Sequence, residues 1–213
     1  MTVKHRAQSA APQADSKPAA KKASNSAFTL VGPKENGYRT ASVDAFFTRL
    51  ADDYELMLTG AQLSKDVNTS RTIRGAVFEA EPGGYLPAEV DRALDRVEDR
   101  FSELERRLYI QKYGQTTWND AIAELRLLLL GRLRRPDGER FRRPSKRLTK
   151  GYFVKDVDAL CHQLMEHLKG QHQLIPDDIR AVSFTAATGE LSYEETQVDA
   201  FLDRCIEYLQ DTL

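Results

Sequence analysis

One phrase occurs four times along this chain: a tyrosine, four residues of any kind, then Val-Asp and an apolar helical pattern. The tyrosines are Tyr38, Tyr85, Tyr152 and Tyr193. The pairs that follow begin at Val43, Val90, Val157 and Val198 and end at Asp44, Asp91, Asp158 and Asp199. By composition, about 0.03 such phrases are expected by chance, so four copies indicate internal repetition. The chain is therefore expected to fold as small units of one design.

Each Val-Asp pair opens an amphipathic helix, because apolar residues recur at i, i+4, i+7 and i+11 from the valine. The four stripes are Val43, Phe47, Leu50, Tyr54; Val90, Leu94, Val97, Phe101; Val157, Cys161, Leu164, Leu168; and Val198, Leu202, Cys205, Leu209. Such a stripe packs against another helix. We expect the aspartate in the first helical turn, where a carboxylate interacts well with the helix dipole. We expect each tyrosine to pack on its own helix.

A segment with a phenylalanine precedes each tyrosine, at Phe28, Phe78, Phe141 and Phe184. A glycine adjoins the tyrosine in three copies, and Ser192 takes its place in the fourth. This order predicts an extended arm, a turn and a helix in each copy. One further helix is predicted outside the repeats, from Thr117 as its N-cap to Leu133. The fold prediction is thus a mainly α protein of four arm-turn-helix repeats plus one extra helix.

The N-terminal segment 1–27 has no large apolar side chain between Val3 and its end. It buries too little surface to offset its ordering entropy, which predicts a disordered basic tail. The segment also lacks the apolar core of a signal peptide. We therefore expect a cytoplasmic protein with reduced thiols at Cys161 and Cys205.

The charge of the chain is unevenly distributed, although its net value is only −1. The tail carries five Lys/Arg against one Asp, and residues 132–150 carry nine against two. The second stretch contains Pro136 and Pro144, which predicts a loop. An acidic body with two basic segments favours local contact with an anionic surface.

The order Phe, Gly-Tyr, four residues, Val-Asp and an apolar helix resembles the N-terminal domain of the DivIVA family, bacterial scaffolds of division septa and growing poles. The fourth copy, LIPDDIRAVSF followed by SYEETQVDAFLDR, resembles it most. The resemblance covers residues 27–60, 70–112, 140–170 and 174–212. It implies dimerising domains, membrane association through the loop before the tyrosine, and recruitment of other cell-division or envelope-growth proteins. It implies no catalysis.

The family typically has one such domain and then a long coiled coil, whereas four units follow one another here. This difference favours a compact adaptor over a filament. The copies are grouped by spacing as two pairs, which predicts internal pseudo-dimers over 28–113 and 141–213 joined by a connecting helix and basic loop over 114–140. A homodimer is the alternative.

Two loops are candidates for contact with anionic lipid, because the resemblance assigns that role to the loop before Gly-Tyr. Their residues are Arg142, Arg143, Lys146, Arg147, Leu148 and Lys150 in the third copy and Leu30, Val31 and Lys34 in the first. The second copy has Glu79 and Glu81 in this loop, and the fourth has neither charge nor bulk. Those two loops are expected not to bind membrane. A solubilising connector is the alternative for the basic loop.

No catalytic residue, cofactor or metal ligand is predicted. His162, His167 and His172 recur every five residues, so they do not share a helix face as convergent ligands would. Cys161 and Cys205 fall on apolar stripes, which indicates core thiols. The chain also lacks a phosphate-binding Gly-rich loop and a Gly-x-Ser-x-Gly elbow.

Three functions stay open from the residues and the resemblance. The leading one is a non-catalytic DivIVA-like adaptor in cell division or polar growth, peripheral at the inner face of the membrane. The second is a nucleic-acid-associated factor that uses 132–150, which the lack of stacking aromatics beyond Phe141 disfavours. The third is a purely structural dimerisation module.

Overall fold

The computed structural model describes residues 27–59, 67–146 and 148–212, and these are mainly helical. The chain divides into two compact units, an N-terminal unit that ends at Arg107 and a C-terminal unit that continues from Leu108. The predicted disorder of the tail concerns a segment outside the described residues, apart from Ala27.

Copies one and two of the repeat share a two-stranded antiparallel sheet in the N-terminal unit. Strand β1 (Asn36–Tyr38) pairs with β2 (Ala80–Pro82), and bridges from Tyr85 to Leu30 and to Tyr38 continue the pairing. Helix α1 (Thr40–Leu58) follows β1, the short α2 (Ser70–Arg74) precedes β2, and α3 (Pro87–Tyr113) follows it. The boundary between the two units falls inside α3.

Copies three and four share a three-stranded antiparallel sheet of order β4-β3-β5 in the C-terminal unit. The elements in chain order are α4 (Gln115–Leu133), β3 (Lys150–Phe153), α5 (Val154–Leu168), α6 (Pro176–Arg180), β4 (Ala186–Thr188), a 3-10 helix (Gly189–Leu191), β5 (Ser192–Tyr193) and α7 (Glu195–Thr212). Tyr152 lies opposite Tyr193 across β3 and β5.

The four apolar stripes lie in the cores of the two units. Each Val-Asp valine is at most 1 % exposed, and the later stripe positions are buried as well, with three exceptions. The exceptions are the half-buried Phe47, Tyr54 and Val97. The predicted helices with a buried stripe are therefore confirmed, because residues at this spacing share the side that meets the neighbouring helix.

Helix α4 is an integral part of the C-terminal unit and not only a connector. Its Leu125, Leu129 and Leu133 belong to the same core cluster as the stripes of α5 and α7. The helix begins at Gln115, because Gly114 at φ +90° separates it from α3. The prediction of Thr117 as the N-cap is wrong: its hydroxyl donates to the carbonyl of Tyr113 from inside the first turn.

Two of the four arms begin with a helical turn where an extended segment was predicted. In copies two and four the isoleucine of the arm, Ile73 or Ile179, sits in the five-residue helix α2 or α6 and is buried. The N-cap of α2 is Thr69, whose side chain accepts from the backbone N–H of Thr72. The Thr69 cap stabilises α2, and a buried isoleucine stabilises both helical turns, which the pattern of an extended arm does not predict.

Candidate functional site

The phenylalanine of every copy packs on the tyrosine of the copy with which it is paired. The ring centroids are 5.4 Å apart for Phe28 and Tyr85, 5.4 Å for Phe78 and Tyr38, 5.2 Å for Phe141 and Tyr193, and 5.0 Å for Phe184 and Tyr152. The rings are tilted or edge-on, which is the favourable arrangement for aromatic pairs. Each pair of copies is thus held by two reciprocal ring contacts, which no local sequence signal indicates.

Three of the tyrosine hydroxyls reach the aspartate of the paired copy. The hydroxyl of Tyr85 lies 3.1 Å from a carboxylate oxygen of Asp44, that of Tyr193 lies 3.1 Å from Asp158, and that of Tyr38 lies 3.5 Å from Asp91. These three tyrosines therefore contact the other copy, which the expectation of a tyrosine packed on its own helix did not include. Burial and the Asp44 carboxylate raise the pKa of Tyr85.

The aspartate of the phrase lies beyond the first turn of its helix. In all four copies it is the fifth helical residue, as Asp44 is in α1 and Asp158 is in α5. The dipole of a helix acts mainly on its first turn, so the predicted role of this aspartate at the helix start is wrong. Its position suits acceptance from the tyrosine of the other copy instead.

The glycine next to the tyrosine allows the two paired backbones to approach closely. A Cβ atom on Gly37 would lie 2.4 Å from the carbonyl oxygen of Tyr85, and one on Gly151 would lie 2.1 Å from that of Tyr193. No side chain is accommodated at such distances, so only glycine fits. Ser192, which replaces the glycine in copy four, is buried, and its hydroxyl donates to the carbonyl of Gly189.

A buried ion pair extends the Tyr193–Asp158 contact in the C-terminal unit. Arg140 Nη1 lies 2.8 Å from Asp158 Oδ1, and both side chains are 7 % exposed. The Asp158 carboxylate also accepts from the backbone N–H of Gly138 at 2.8 Å. Burial raises the pKa of Tyr193 to about 12, and the adjacent Asp158 carboxylate contributes to the shift. One arginine of the basic loop is therefore part of the core.

The arginines at 142 and 143, predicted as lipid contacts, are engaged within the C-terminal unit. Arg142 pairs with Glu194 at the start of α7. Arg143 donates to the carbonyl of Gly138 at 2.9 Å, and its guanidinium lies over the ring of Tyr193 at 4.9 Å. Both contacts secure the loop to the copy-three and copy-four pair.

The remaining predicted lipid contacts of the basic loop are exposed. Leu148 is 87 % exposed, and Lys146 and Lys150 are exposed on either side of it. Arg147 lies outside the described residues. Leu191, in the 3-10 helix that directly follows β4, is 63 % exposed. The prediction that the copy-four loop has no bulky apolar residue overlooked this leucine. Its exposure, which the sequence does not show, makes it a candidate for contact with a membrane.

The first-copy loop does not present the apolar tip that was expected there. Leu30 and Val31 are half-buried. Leu30 forms a bridge with Tyr85, and the N–H of Val31 donates to the carbonyl of Gly84 at 2.9 Å. The second copy therefore covers both residues, and Lys34 alone of the predicted trio is exposed.

The thiols and histidines lie in structural environments. Burial raises the pKa of Cys161 to about 12 and that of Cys205 well above its ordinary value. His167 accepts from the backbone N–H of Leu174 at 3.0 Å, and burial lowers its pKa. Over 27–59, 67–146 and 148–212, no three His, Cys, Asp or Glu residues are grouped as metal ligands would be. No helix within these ranges is long and apolar enough to cross a bilayer.

No family model, curated protein or solved structure matches the chain.

Proposed function

We propose that the chain is a non-catalytic, DivIVA-like adaptor of bacterial cell division or polar growth. It is cytoplasmic, peripheral at the inner face of the membrane, and binds other division or envelope-growth proteins. The reciprocal Phe–Tyr contacts support the internal pairing of the repeats that this proposal assumes. Thiols with raised pKa values in the cores, such as Cys161, are unsuited to nucleophilic chemistry, which supports a non-catalytic role.

In this proposal the membrane is contacted by a surface of four residues, which we call the loop tip: Lys146, Leu148, Lys150 and Leu191. An exposed leucine between two lysines combines apolar insertion with attraction to anionic headgroups. Each lysine near such a surface contributes about 1 kcal/mol. Arg142 and Arg143 hold the loop in place from the protein side.

Co-sedimentation of the full chain with vesicles tests this role. Wild type is expected to pellet with vesicles that contain anionic lipid, to stay in solution with neutral vesicles, and to lose binding as salt increases. Lys146→Glu with Lys150→Glu should abolish pelleting, and Leu148→Asp should reduce it. The matched control is Lys155→Glu with Lys169→Glu, two exposed lysines on α5 and at its end. Equal pelleting by the two double variants contradicts the proposal.

The adaptor role is tested by a fluorescent fusion of the full chain in the native cell. The expected signal lies at septa or poles in wild type and becomes diffuse in the Lys146→Glu, Lys150→Glu variant. A signal over the nucleoid would favour the nucleic-acid alternative. That alternative is weakened because Arg140, Arg142 and Arg143 already have partners within the protein.

A purely structural pairing module is the second candidate function. The internal exchange of Phe and Tyr contacts supports it equally, because the exchange needs no membrane and no further protein. A diffuse wild-type fusion together with no vesicle binding would favour this module over the adaptor.

A further inference from the structure

Helix α4 carries leucines on more than one side, but only one side of it reaches the core. Leu125, Leu129 and Leu133 are buried, whereas Leu127 is 64 % exposed and Leu128 is 55 % exposed. Two adjacent exposed leucines in the middle of a 19-residue helix are costly to leave in water. The outer side of α4 is therefore a candidate interaction surface.

The exposed side of α4 carries a regular pattern, which we call the α4 stripe. It consists of Asp120, Glu124, Leu127, Gly131 and Arg134, all of which are exposed. The successive spacings of four, three, four and three residues are those of a coiled-coil seam. Ala123, Leu128 and Arg135 flank the stripe. Along the helix its character changes from acidic through apolar to basic.

The charges of the stripe, and that of the flanking Arg135, have no partner among the described residues. Asp120, Glu124, Arg134 and Arg135 make no side-chain ion pair or hydrogen bond with any part of the chain that the structure describes. By contrast, the neighbouring Arg126 donates to the carbonyl of Leu168, and Arg132 donates to that of Arg140. Within the described part of the chain, the inward arginines of this region thus have partners, while the outward charges have none.

We propose that α4 packs antiparallel on the α4 of a second copy of this chain. When Leu127 faces its counterpart, Asp120 lies opposite Arg134 of the other copy, and Arg134 lies opposite its Asp120. The two-fold axis makes both contacts identical, as in an isologous dimer. A parallel arrangement would instead place like charges opposite each other at both ends, so the charge order selects the antiparallel one.

The one small residue of the stripe, Gly131, permits close packing of the two helices. Gly131 faces open space: apart from its own helical turn, no atom of the described residues lies within 4 Å of where a Cβ would be. In the antiparallel register it lies level with Ala123 of the other copy, next to Glu124, whose carboxylate can then reach Arg135, one turn beyond Gly131. The axes of packed helices lie about 8–10 Å apart, depending on the side chains at the contact.

A groove beside the stripe adds to the complementarity. It has a volume of about 390 Å³ and lies between α4 and α7, with Trp118, Ile122 and Leu128 in its lining. Glu124, Glu207 and Asp211 line it as well, with Arg204 bonded to Glu207. This groove, whose charged residues are acidic except for Arg204, flanks the N-terminal half of α4, where the basic end of the second α4 would lie.

A second copy is the occupant that this pattern favours. A basic helix of another protein would contact only the acidic half of the stripe. The stripe has an acidic end and a basic end, so two antiparallel copies of it match each other at both ends. The repeats are paired inside each unit, so they need no second chain, and this contact is formed outside them. The inference therefore does not depend on the proposed adaptor role.

Sedimentation velocity of the full chain over about a hundredfold range of concentration tests the dimer. The expected result is a shift from 24.1 kDa to twice that mass as concentration rises. Leu127→Glu should raise the dissociation constant by about tenfold or more, since it buries a charge at the two-fold axis. The matched control is Leu148→Glu, an exposed leucine outside α4, which should not change it. A wild type that stays monomeric, even if it captures a basic helix, overturns the proposal, as does unchanged association of the Leu127→Glu variant.

Charge reversal and cross-linking test the antiparallel register. Asp120→Arg or Arg134→Glu alone should weaken the dimer, and the two changes in one chain should restore it.

A mixture of Asp120→Cys and Arg134→Cys chains should cross-link with a short thiol reagent, whereas neither variant should cross-link alone. Cys161 and Cys205 are buried and do not interfere. Cross-linking of each variant with itself would show a parallel pair, and failure of the restored charge pair would show another interface. Either result overturns the proposal.

Discussion

The hydroxyl of Tyr85 donates a hydrogen bond to the carboxylate of Asp44, which lies 3.1 Å away and 41 residues earlier in the chain. Tyr193 makes the same contact with Asp158 at the same distance in the other unit. The phrase thus supplies the donor in one copy and the acceptor in another. A single copy cannot form this contact, which is a physical reason why the copies of the repeat occur in pairs.

Removal of a buried hydroxyl should cost more than removal of a half-buried one. We expect Tyr193→Phe to lower the free energy of unfolding by about 1–3 kcal/mol, because the fully buried Asp158 contact loses its donor. Tyr38→Phe should cost less than about 1 kcal/mol, since its hydroxyl lies 3.5 Å from Asp91 and is half-buried. Urea unfolding of both variants gives the comparison. A larger loss for Tyr38→Phe would contradict this ranking.

The raised pKa of Tyr193 should make stability depend on alkaline pH. The unfolded chain releases this proton near pH 10, whereas the folded protein keeps it until about pH 12. The folded state therefore binds more protons in this window, and the free energy of unfolding falls as pH rises through it. Tyr193→Phe should lose stability less steeply between pH 10 and 12. Parallel stability curves for wild type and variant would show that Tyr193 ionises normally in the fold.

Breaking the buried ion pair should be costly. Arg140→Met is expected to lower the free energy of unfolding by about 3–5 kcal/mol, because it leaves the Asp158 charge buried without its cation. Arg142→Met, the matched control, removes an exposed arginine that pairs with Glu194 and should cost less than about 1 kcal/mol. A second change, Asp158→Leu, should recover part of the Arg140→Met loss. Equal losses for the two arginine variants would argue that the burial of Arg140 is not energetically relevant.

The close approach at Gly151 should not tolerate a methyl group. Gly151→Ala is expected to destabilise the C-terminal unit by more than about 2 kcal/mol, since the new Cβ would overlap the carbonyl of Tyr193. Gly75→Ala, whose Cβ would have ordinary contacts of 3.6 Å or more, should change stability by less than about 0.5 kcal/mol. Thermal and chemical unfolding of both variants check this. A mild effect at Gly151 would mean that the two strands can separate at little cost.

The apolar stripes should contribute most of the core energy. Leu94→Ala and Leu164→Ala are expected to cost about 2–5 kcal/mol each, as for other buried leucines. Leu58→Ala, at a position that is 50 % exposed, should cost less than about 0.5 kcal/mol. Chemical denaturation separates these values. A loss at Leu94 as small as that at Leu58 would indicate a stripe that faces solvent.

The sequence by itself determined the helices and their buried faces, because both follow from local spacing. The valines at 43, 90, 157 and 198 and most of the i+4 and i+7 positions after them could be placed in a core without any partner being known; Phe47 and Val97 among these positions are only half-buried. The basic loop was also predictable, since Pro136 and Pro144 exclude a continuous helix.

Only the tertiary structure decided which residues meet. That Phe28 packs on Tyr85, and that Tyr85 bonds to Asp44, depends on the pairing of strands far apart in sequence, for which no local signal exists. The same holds for the arginines of the basic loop, which the sequence does not distinguish. Their environments differ, because Arg140 faces a buried carboxylate while Arg142 lies at the surface. Burial and charge neighbours are set by the packing of whole helices, and a linear pattern of charges carries no information about them.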